Sequence, residues 1–405
     1  MLSTLISQSI FVSAADASRL LGVTRATLYA YVSRGLVRSQ PAEGGTRARR
    51  YVREDIERLR RRADARRNPD AAAAGALQWG VPVLESAITC IDGARLYYRG
   101  HDATALARTR TVAEVASLVW TGSFDQTWPA PGPAPAIGRQ ASFVARAQTA
   151  LAAASSDDPG ACTLRPAAVQ ATGWRILHLL AAAAAPSPRA FDTIERTLAR
   201  AWGVDARGAA LLRSTLILCA DHELNASSFT ARVVASAGSH PYAAVSAALS
   251  ALEGPRHGGA GARVEAMLDA LRRGRPLKQA VAERLRRGEP VDGVGHPLYR
   301  DGDPRAIALL EALRRDYARS PELAFVLDVA RALTAATREH PNIDFGLAAV
   351  TRVLKLPRGA PLMLFAIGRS IGWIGHALEQ YATGQLIRPR AKYTGPPPVA
   401  TRADG

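Results

Sequence analysis

Glu253-Gly254-Pro255-Arg256-His257-Gly258-Gly259-Ala260-Gly261 is the stretch whose reading decides the fold. It follows Pro241 to Leu252, a run of small and apolar residues that reads as a buried helix. Pro255 and four glycines break regular structure at one point, and a histidine sits inside the break. Glycine lets backbone approach a ligand closely and turns N–H groups toward it. The stretch therefore predicts a ligand loop. Taken alone, it fits equally well a glycine-rich helix terminus with a surface histidine.

Two further stretches change the reading. One is Asp292-Gly293-Val294-Gly295-His296-Pro297-Leu298-Tyr299-Arg300-Asp301-Gly302-Asp303-Pro304-Arg305-Ala306; the other is Pro341-Asn342-Ile343-Asp344-Phe345. In order and spacing the three resemble the citrate synthase family, with its Gly-Pro-x-His-Gly-Gly-Ala loop, its Gly-x-Gly-His and Asp-Pro-Arg loop, and its Pro-Asn-x-Asp-Phe turn. The resemblance covers roughly residues 79–395. It implies an all-α fold of a large and a small helical domain with the active site in the cleft between them. The small domain, about 258–352, would be inserted in the large one. The resemblance also implies a homodimer whose large domains pack helix on helix.

The same resemblance assigns roles. Condensing an acyl thioester with a 2-oxo acid needs a base for the methyl proton, a donor to the thioester oxygen and a donor to the keto oxygen. Asp344 matches the base, His257 the first donor and His296 the second. Oxaloacetate carries two carboxylates, which suit bidentate guanidinium groups. Arg305, Arg369 in Gly368-Arg369-Ser370, and Arg388 in Ile387-Arg388-Pro389-Arg390 match the family's three arginines, the last reaching across from the partner subunit. His222, in Asp221-His222-Glu223-Leu224-Asn225-Ala226-Ser227, matches the remaining oxaloacetate ligand. Other readings stay open: His222 as a helix cap, Arg369 as a surface charge, Arg390 in place of Arg388. His376 reads as a packing or buried hydrogen-bonded group. Acetyl-CoA and oxaloacetate are the expected partners, with the coenzyme A phosphates on glycine N–H groups near Gly258 and Gly259 and on nearby arginines; no cofactor beyond the coenzyme A thioester and no metal is expected.

The chain departs from the family pattern on the acyl-CoA side. Gly261 stands where Asn is usual, Val294 where Phe is, Pro297 where Arg is, and Gly346-Leu347-Ala348 where Tyr-Ser-Gly is. Acetyl and propionyl groups differ by one methylene, worth about 1–3 kcal/mol of discrimination, so acyl preference is open at this point.

The first 68 residues read differently. They hold fourteen Arg, no Lys and six acids, a net charge of about +8 within a chain of formal charge +17. Ser13-Ala14-Ala15-Asp16 predicts a capped helix through Leu21, broken at Gly22. Thr24 predicts the cap of a second helix, Arg25 to Ser33. Leu20, Val23, Leu28 and Val32 would hold the pair together, with Arg25, Thr27 and Tyr31 outward toward a major groove. A strand from Leu36-Val37, a turn at Gly44-Gly45 and a return through Arg49-Arg50-Tyr51 into a helix from Glu54 to Arg67 complete a wing. This resembles the winged helix-turn-helix of the MerR regulators. Arg47, Arg49 and Arg50 would neutralise DNA phosphates. Residues 69–78 read as a linker and 396–405 as a disordered tail.

A chain of 405 residues with 48% hydrophobic residues is globular and large enough for two or three domains. No apolar run reaches membrane-spanning length. Cys90, Cys162 and Cys219 lie far apart, which fits reduced thiols in a cytoplasmic protein. Two functions follow: an active citrate synthase carrying a DNA-binding-like module, or a transcriptional regulator using the same fold to sense oxaloacetate or acyl-CoA.

Overall fold

The computed structural model describes residues 11–41, most of 49–63, 83–128, 142–185, 193–272 and 276–397. Arg47, the Gly44-Gly45 turn and residues 69–78 lie outside the described residues, as do most of the proline-rich stretch after Trp128 and residues 398–405. The chain divides into two compact units, residues 1–85 and 86–405.

The smaller unit is built on two capped helices. The Ser13 hydroxyl accepts from the Asp16 N–H at 3.1 Å and opens α1 (Ala14–Leu21), which Gly22 ends at φ 64. The Thr24 hydroxyl accepts from Thr27 N–H and opens α2 (Arg25–Ser33). Three short antiparallel strands close the unit: β1 (Phe11–Ser13), β2 (Ser39–Pro41) and β3 (Arg49–Val52), in spatial order β1-β3-β2. Val12 pairs with Tyr51, and Gln40 with Arg50. Strand β1 is absent from the sequence reading, and β2 starts later than Leu36-Val37 because Val37 turns into the core instead.

That core consists of Val12, Ala17, Leu28, Val37, Tyr51 and Ile56, with Leu20 and Val32 against it. Tyr31 packs there too, which corrects its outward placement. Positions 28, 31 and 32 share one helix face, so burying Leu28 carries Tyr31 inward. Tyr29, 52% exposed, takes the outward place.

The larger unit opens with a hairpin, β4 (Thr89–Asp92) and β5 (Arg95–Tyr98), turned at Gly93 (φ 59), and a two-residue β6 (His101–Asp102). Helices follow: α3 (Ala103–Thr109), α4 (Val112–Thr121), α5 (Phe143–Ser156), α6 (Pro166–Ala184), α7 (Ile194–Ala201), α8 (Ala206–Leu218), α9 (Ala226–Ser236) and α10 (Pro241–Glu253). Then come α11 (Ala260–Leu271), α12 (Leu277–Arg286), α13 (Pro304–Asp316), α14 (Pro321–Thr337), α15 (Ile343–Val353) and α16 (Ala360–Thr383). Polar residues cap most of them; Thr111 and Glu114 form a reciprocal capping box on α4. The unit is all-α apart from its hairpin.

Helix α16 organises this unit. Nearly all its residues from Ala360 to Ala377 are buried, as expected for a helix apolar on every side. It packs on α4, α6, α8, α9, α10 and α15. Its glycines set those distances. A Cβ at Gly368 would lie 2.4 Å from the Leu216 carbonyl oxygen, and one at Gly372 would lie 2.4 Å from Asp221 Oδ1.

Candidate active site

Three connections carry the site residues. His222 lies between α8 and α9, His257 between α10 and α11, and His296 in the loop before α13. Arg305 and Asp344 lie in the first turns of α13 and α15, and Arg369 lies within α16.

The loop of His296 and the turn of Asp344 are laced together. Val294 and Pro341 form an isolated antiparallel bridge. Gly295 N–H donates to His340 O at 2.8 Å, Asn342 N–H to Gly293 O at 2.9 Å, and Asn342 Nδ2 to Gly295 O at 3.0 Å. Gly293 (φ 83) and Gly295 (φ 78) hold left-handed conformations that Val294-type residues would strain. Asp303 adds a third tie. Its carboxylate accepts from Arg305 Nε (2.9 Å) and Nη2 (2.8 Å) and from Ile343 N–H (3.0 Å). Arg305 is thereby fixed while 2% exposed, with Nη1 left over.

The three imidazoles are neutral. Burial pushes His257 and His296 down to about 4, with Arg369 adding to the first and Arg305 to the second. Burial, then Arg305 and Arg369, holds His222 well below the ordinary histidine value. His296 Nδ1 accepts the Leu298 N–H at 3.1 Å, which assigns its proton to Nε2. His222 Nε2 lies 3.0 Å from Tyr299 Oη, and its ring centroid 5.1 Å from that of His296. His257 Nε2 lies 2.9 Å from Ser227 Oγ, which also accepts from Trp373 Nε1 at 3.1 Å. The Ser227 proton has two acceptors, Asn225 Oδ1 at 2.8 Å and His257 Nε2. Directed to His257, it leaves the imidazole proton on Nδ1.

Asp344 is a half-buried carboxyl. Burial raises it to about 6 despite the opposing charge of Arg305, with Asp303 reinforcing the rise. Arg369 is 1% exposed; its Nε donates to Cys219 O at 2.8 Å, and its Cζ lies 4.5 Å over the Phe365 ring. That ring also meets His257, centroid to centroid at 6.0 Å. Nη2 of Arg369 is buried with no partner among the described residues. A buried guanidinium donor left unpaired implies an acceptor that arrives with a ligand.

The structure thus brings together six of the seven expected substrate and catalytic residues. Arg388 is exposed beyond the end of α16 and is not among them in a single chain. Four partners escaped the sequence reading: Ser227, Tyr299, Asp303 as the clamp on Arg305, and Trp373. The phosphate-cradle expectation is corrected. Gly258 N–H donates to Leu252 O at 2.8 Å and Gly259 N–H to Gly254 O at 3.3 Å, so both are spent on a compact turn. A Cβ at Gly258 would lie 2.6 Å from Leu252 O; the glycines serve close packing. Gly261 and Gly346 serve the same end, approaching Pro361 and Ala306.

In the smaller unit, Arg25 is exposed on α2, and Thr27 is half-buried, its hydroxyl 3.0 Å from that of Thr24. On the wing, Arg49 Nε donates to Ser39 Oγ at 3.0 Å, and Arg50 Cζ lies 4.9 Å over Phe11.

The chain matches the family model for the citrate synthase C-terminal domain over residues 76–131 and 134–390. The chain belongs to the citrate synthase family. Its N-terminus matches the MerR HTH family regulatory protein model over residues 12–64. Among curated members, putative citrate synthase 2 of Mycobacterium tuberculosis is 34% identical over 331 residues, covering 76% of this chain and 88% of that protein. Citrate synthase 2 of Bacillus subtilis is 40% identical over 184 residues, 45% of this chain and 50% of that protein. Among solved structures, the citrate synthase of Thermotoga maritima superposes with a TM-score of 0.66 at 26% identity, over 80% of this chain and 98% of that one. The citrate synthase of Thermoplasma acidophilum, solved as a ternary complex with carboxymethyl coenzyme A and oxaloacetate, shares the fold with a TM-score of 0.67 at 24% identity, over 80% of this chain and 97% of that one.

Proposed function

We propose that this citrate synthase family member condenses acetyl-CoA, or another short acyl-CoA, with oxaloacetate to give citrate and coenzyme A. One observation carries the reading: three neutral imidazoles and a carboxyl near pKa 6 surround two buried guanidinium groups. Arg305 Nη1 and Arg369 Nη2 take the oxaloacetate carboxylates, with His222 beside them. Asp344 removes a proton from the acyl methyl group. The enol oxygen is held by His257 Nδ1–H, the tautomer present when the Ser227 hydroxyl donates to Nε2. The methyl carbon attacks the keto carbon, and the new alkoxide takes hydrogen-bond support and its proton from His296 Nε2–H. Water then cleaves the thioester, releasing coenzyme A. A neutral imidazole suits both donor tasks, because a fixed N–H dipole in a low-dielectric cleft needs no net charge. Arg388 joins the site only across a homodimer. A thiol-release assay with acetyl-CoA, propionyl-CoA and oxaloacetate tests the reading; folded protein that turns over none of them overturns it.

The MerR match and the exposed Arg25 support a second role, DNA binding by the N-terminal unit, and with it a regulator that senses oxaloacetate or acyl-CoA. Retarded migration of promoter DNA over bulk competitor at physiological salt, with ligand binding but no turnover, is its signature. No preference over competitor removes it.

A further inference from the structure

Beside the proposed oxaloacetate ligands lies a buried pair of titratable groups that the chemistry above leaves idle. Asp221 and His376 are both 0% exposed. His376 Nε2 lies 3.2 Å from Asp221 Oδ1, outside good hydrogen-bond direction, and neither ring nitrogen has a hydrogen-bond partner among the described residues. The other carboxylate oxygen, Oδ2, accepts from Thr89 Oγ1 at 2.6 Å. On the far side of the imidazole, Glu379 Oε2 lies 3.9 Å from Nδ1. Glu379 is itself tied down, accepting from Ala87 N–H at 2.8 Å and from Arg232 Nη1 at 3.2 Å.

The placement of the pair follows from helix geometry. Residues 369, 372, 376 and 379 of α16 fall on one face, at steps of three and four. The segment entering the site runs along that face one residue at a time. Arg369 Nε binds the Cys219 carbonyl, Gly372 N–H binds the Ala220 carbonyl at 2.9 Å, and His376 meets the Asp221 carboxylate. His222 is the next residue, three past the Cys219 cap of α8. Glu223 then turns the chain with φ 52, a conformation that only a well-held segment imposes on a non-glycine residue. Tyr98 closes the other side, its hydroxyl donating among the carbonyls of Ile217, Leu218 and Asp221 at 3.1–3.3 Å.

Charge gives the pair a second task. Arg369 is buried, and its Nη2 has no acceptor among the described residues. Asp221 supplies the compensating negative charge: burial alone would raise its carboxyl, but His376, Arg369 and Thr89 hold it below the usual range. A buried ion without such a neighbour is strongly destabilised.

We propose that Asp221 and His376 form a buried positioning couple that fixes His222 and the Arg369 guanidinium in register for the 2-oxo acid. The inference rests on the reading of His222 and Arg369 as oxaloacetate ligands. Neither member touches the substrate; each acts through the segment between Cys219 and His222.

Calorimetric titration of the full-length protein with oxaloacetate tests it, beside kinetics with each substrate varied. His376→Leu fills the same space without nitrogen and is expected to weaken oxaloacetate binding about 10-fold. The KM for acyl-CoA should move less than about twofold, a split that general loosening of the fold does not produce. His376→Gln, which restores a polar group facing Asp221, should recover most of the loss. Thr89→Val removes only the 2.6 Å donor to Asp221 and guards against misfolding of the Leu variant; it should weaken oxaloacetate several-fold. An oxaloacetate affinity within twofold of wild type in folded His376→Leu and in Thr89→Val overturns the couple, as does a Gln variant no better than Leu. Arg369→Ala separates the two levels. If it binds oxaloacetate as wild type does, or if wild type does not bind it, the functional reading fails and the couple falls with it. If Arg369→Ala loses binding while His376→Leu keeps it, only the couple is wrong.

Discussion

Asp344 is the residue where stability and chemistry pull in opposite directions. Its folded pKa, about 6, lies above the ordinary 3.8. The folded state therefore binds more protons than the unfolded chain between those values. Stability is full below about pH 4, falls as pH rises through about 6, and stays reduced above it. Asp344→Asn should gain about 1–3 kcal/mol at pH 7–8, allowing for partial exposure, and nothing at pH 4. Denaturant unfolding at the two pH values checks this. The same substitution should lower kcat about 10²–10⁴-fold. In wild type, kcat/KM should rise with pH to a plateau with a midpoint near 6, since only the ionised carboxylate accepts the methyl proton. Ser227 acts one step back. Ser227→Ala removes the group 2.9 Å from His257 Nε2 and should lower kcat about 10–100-fold with little change in the oxaloacetate KM; equal loss in both would deny the tautomer argument. The proposed catalytic residues could be singled out together because each lies inside a contiguous motif. Ser227 was not, since its pairing with His257 bridges 30 residues and exists only once α9 and α10 are packed.

At the scale of elements, helix boundaries followed closely from caps and breakers: α1 stops at Leu21 before Gly22 and α2 runs from Arg25 to Ser33, as read from the glycine and Thr24. What sequence did not reveal is which backbone groups a turn consumes. Gly258 and Gly259 look like a phosphate cradle until their N–H groups are seen bonded to Leu252 and Gly254. Tyr31 and Tyr29 were indistinguishable by type; the Leu28 stripe alone assigns them to opposite faces. The glycines of α16 carry the clearest consequence. Gly368→Ala would place a Cβ 2.4 Å from a backbone oxygen and 2.9 Å from Cys219 Cβ. Overpacking at such a site costs about 1–3 kcal/mol and should lower the melting temperature by several degrees. It should also raise the oxaloacetate KM, because the Cys219 carbonyl that holds Arg369 must shift. Gly384→Ala, with open space around its Cβ but φ 62, should cost about 1 kcal/mol and leave KM unchanged. Equal kinetic effects in the two variants would show that α16 does not position the arginine.

For the whole molecule, the two units have separate cores among the described residues. The larger has a main cluster running from Ile88 to Ile374 with a small satellite of Ala235, Ala244 and Ala377, while the smaller has six buried hydrophobic residues. So small a core stabilises weakly, and its unfolding is expected as a distinct, earlier transition in calorimetry of the intact chain. Oxaloacetate at about 100 times its Kd stabilises the state it binds by about 2.7 kcal/mol. It should raise the larger transition by several degrees and leave the smaller in place, because every proposed oxaloacetate ligand lies in residues 86–405. Duplex DNA should do the reverse. A shift of the smaller transition by oxaloacetate would mean that the units are coupled. Linkage then requires DNA to change oxaloacetate affinity by the same factor, and a titration of oxaloacetate with and without DNA would measure it. Equal affinities, with independent transitions, mark a synthase-type unit and a DNA-binding-like unit that share a chain without sharing an equilibrium.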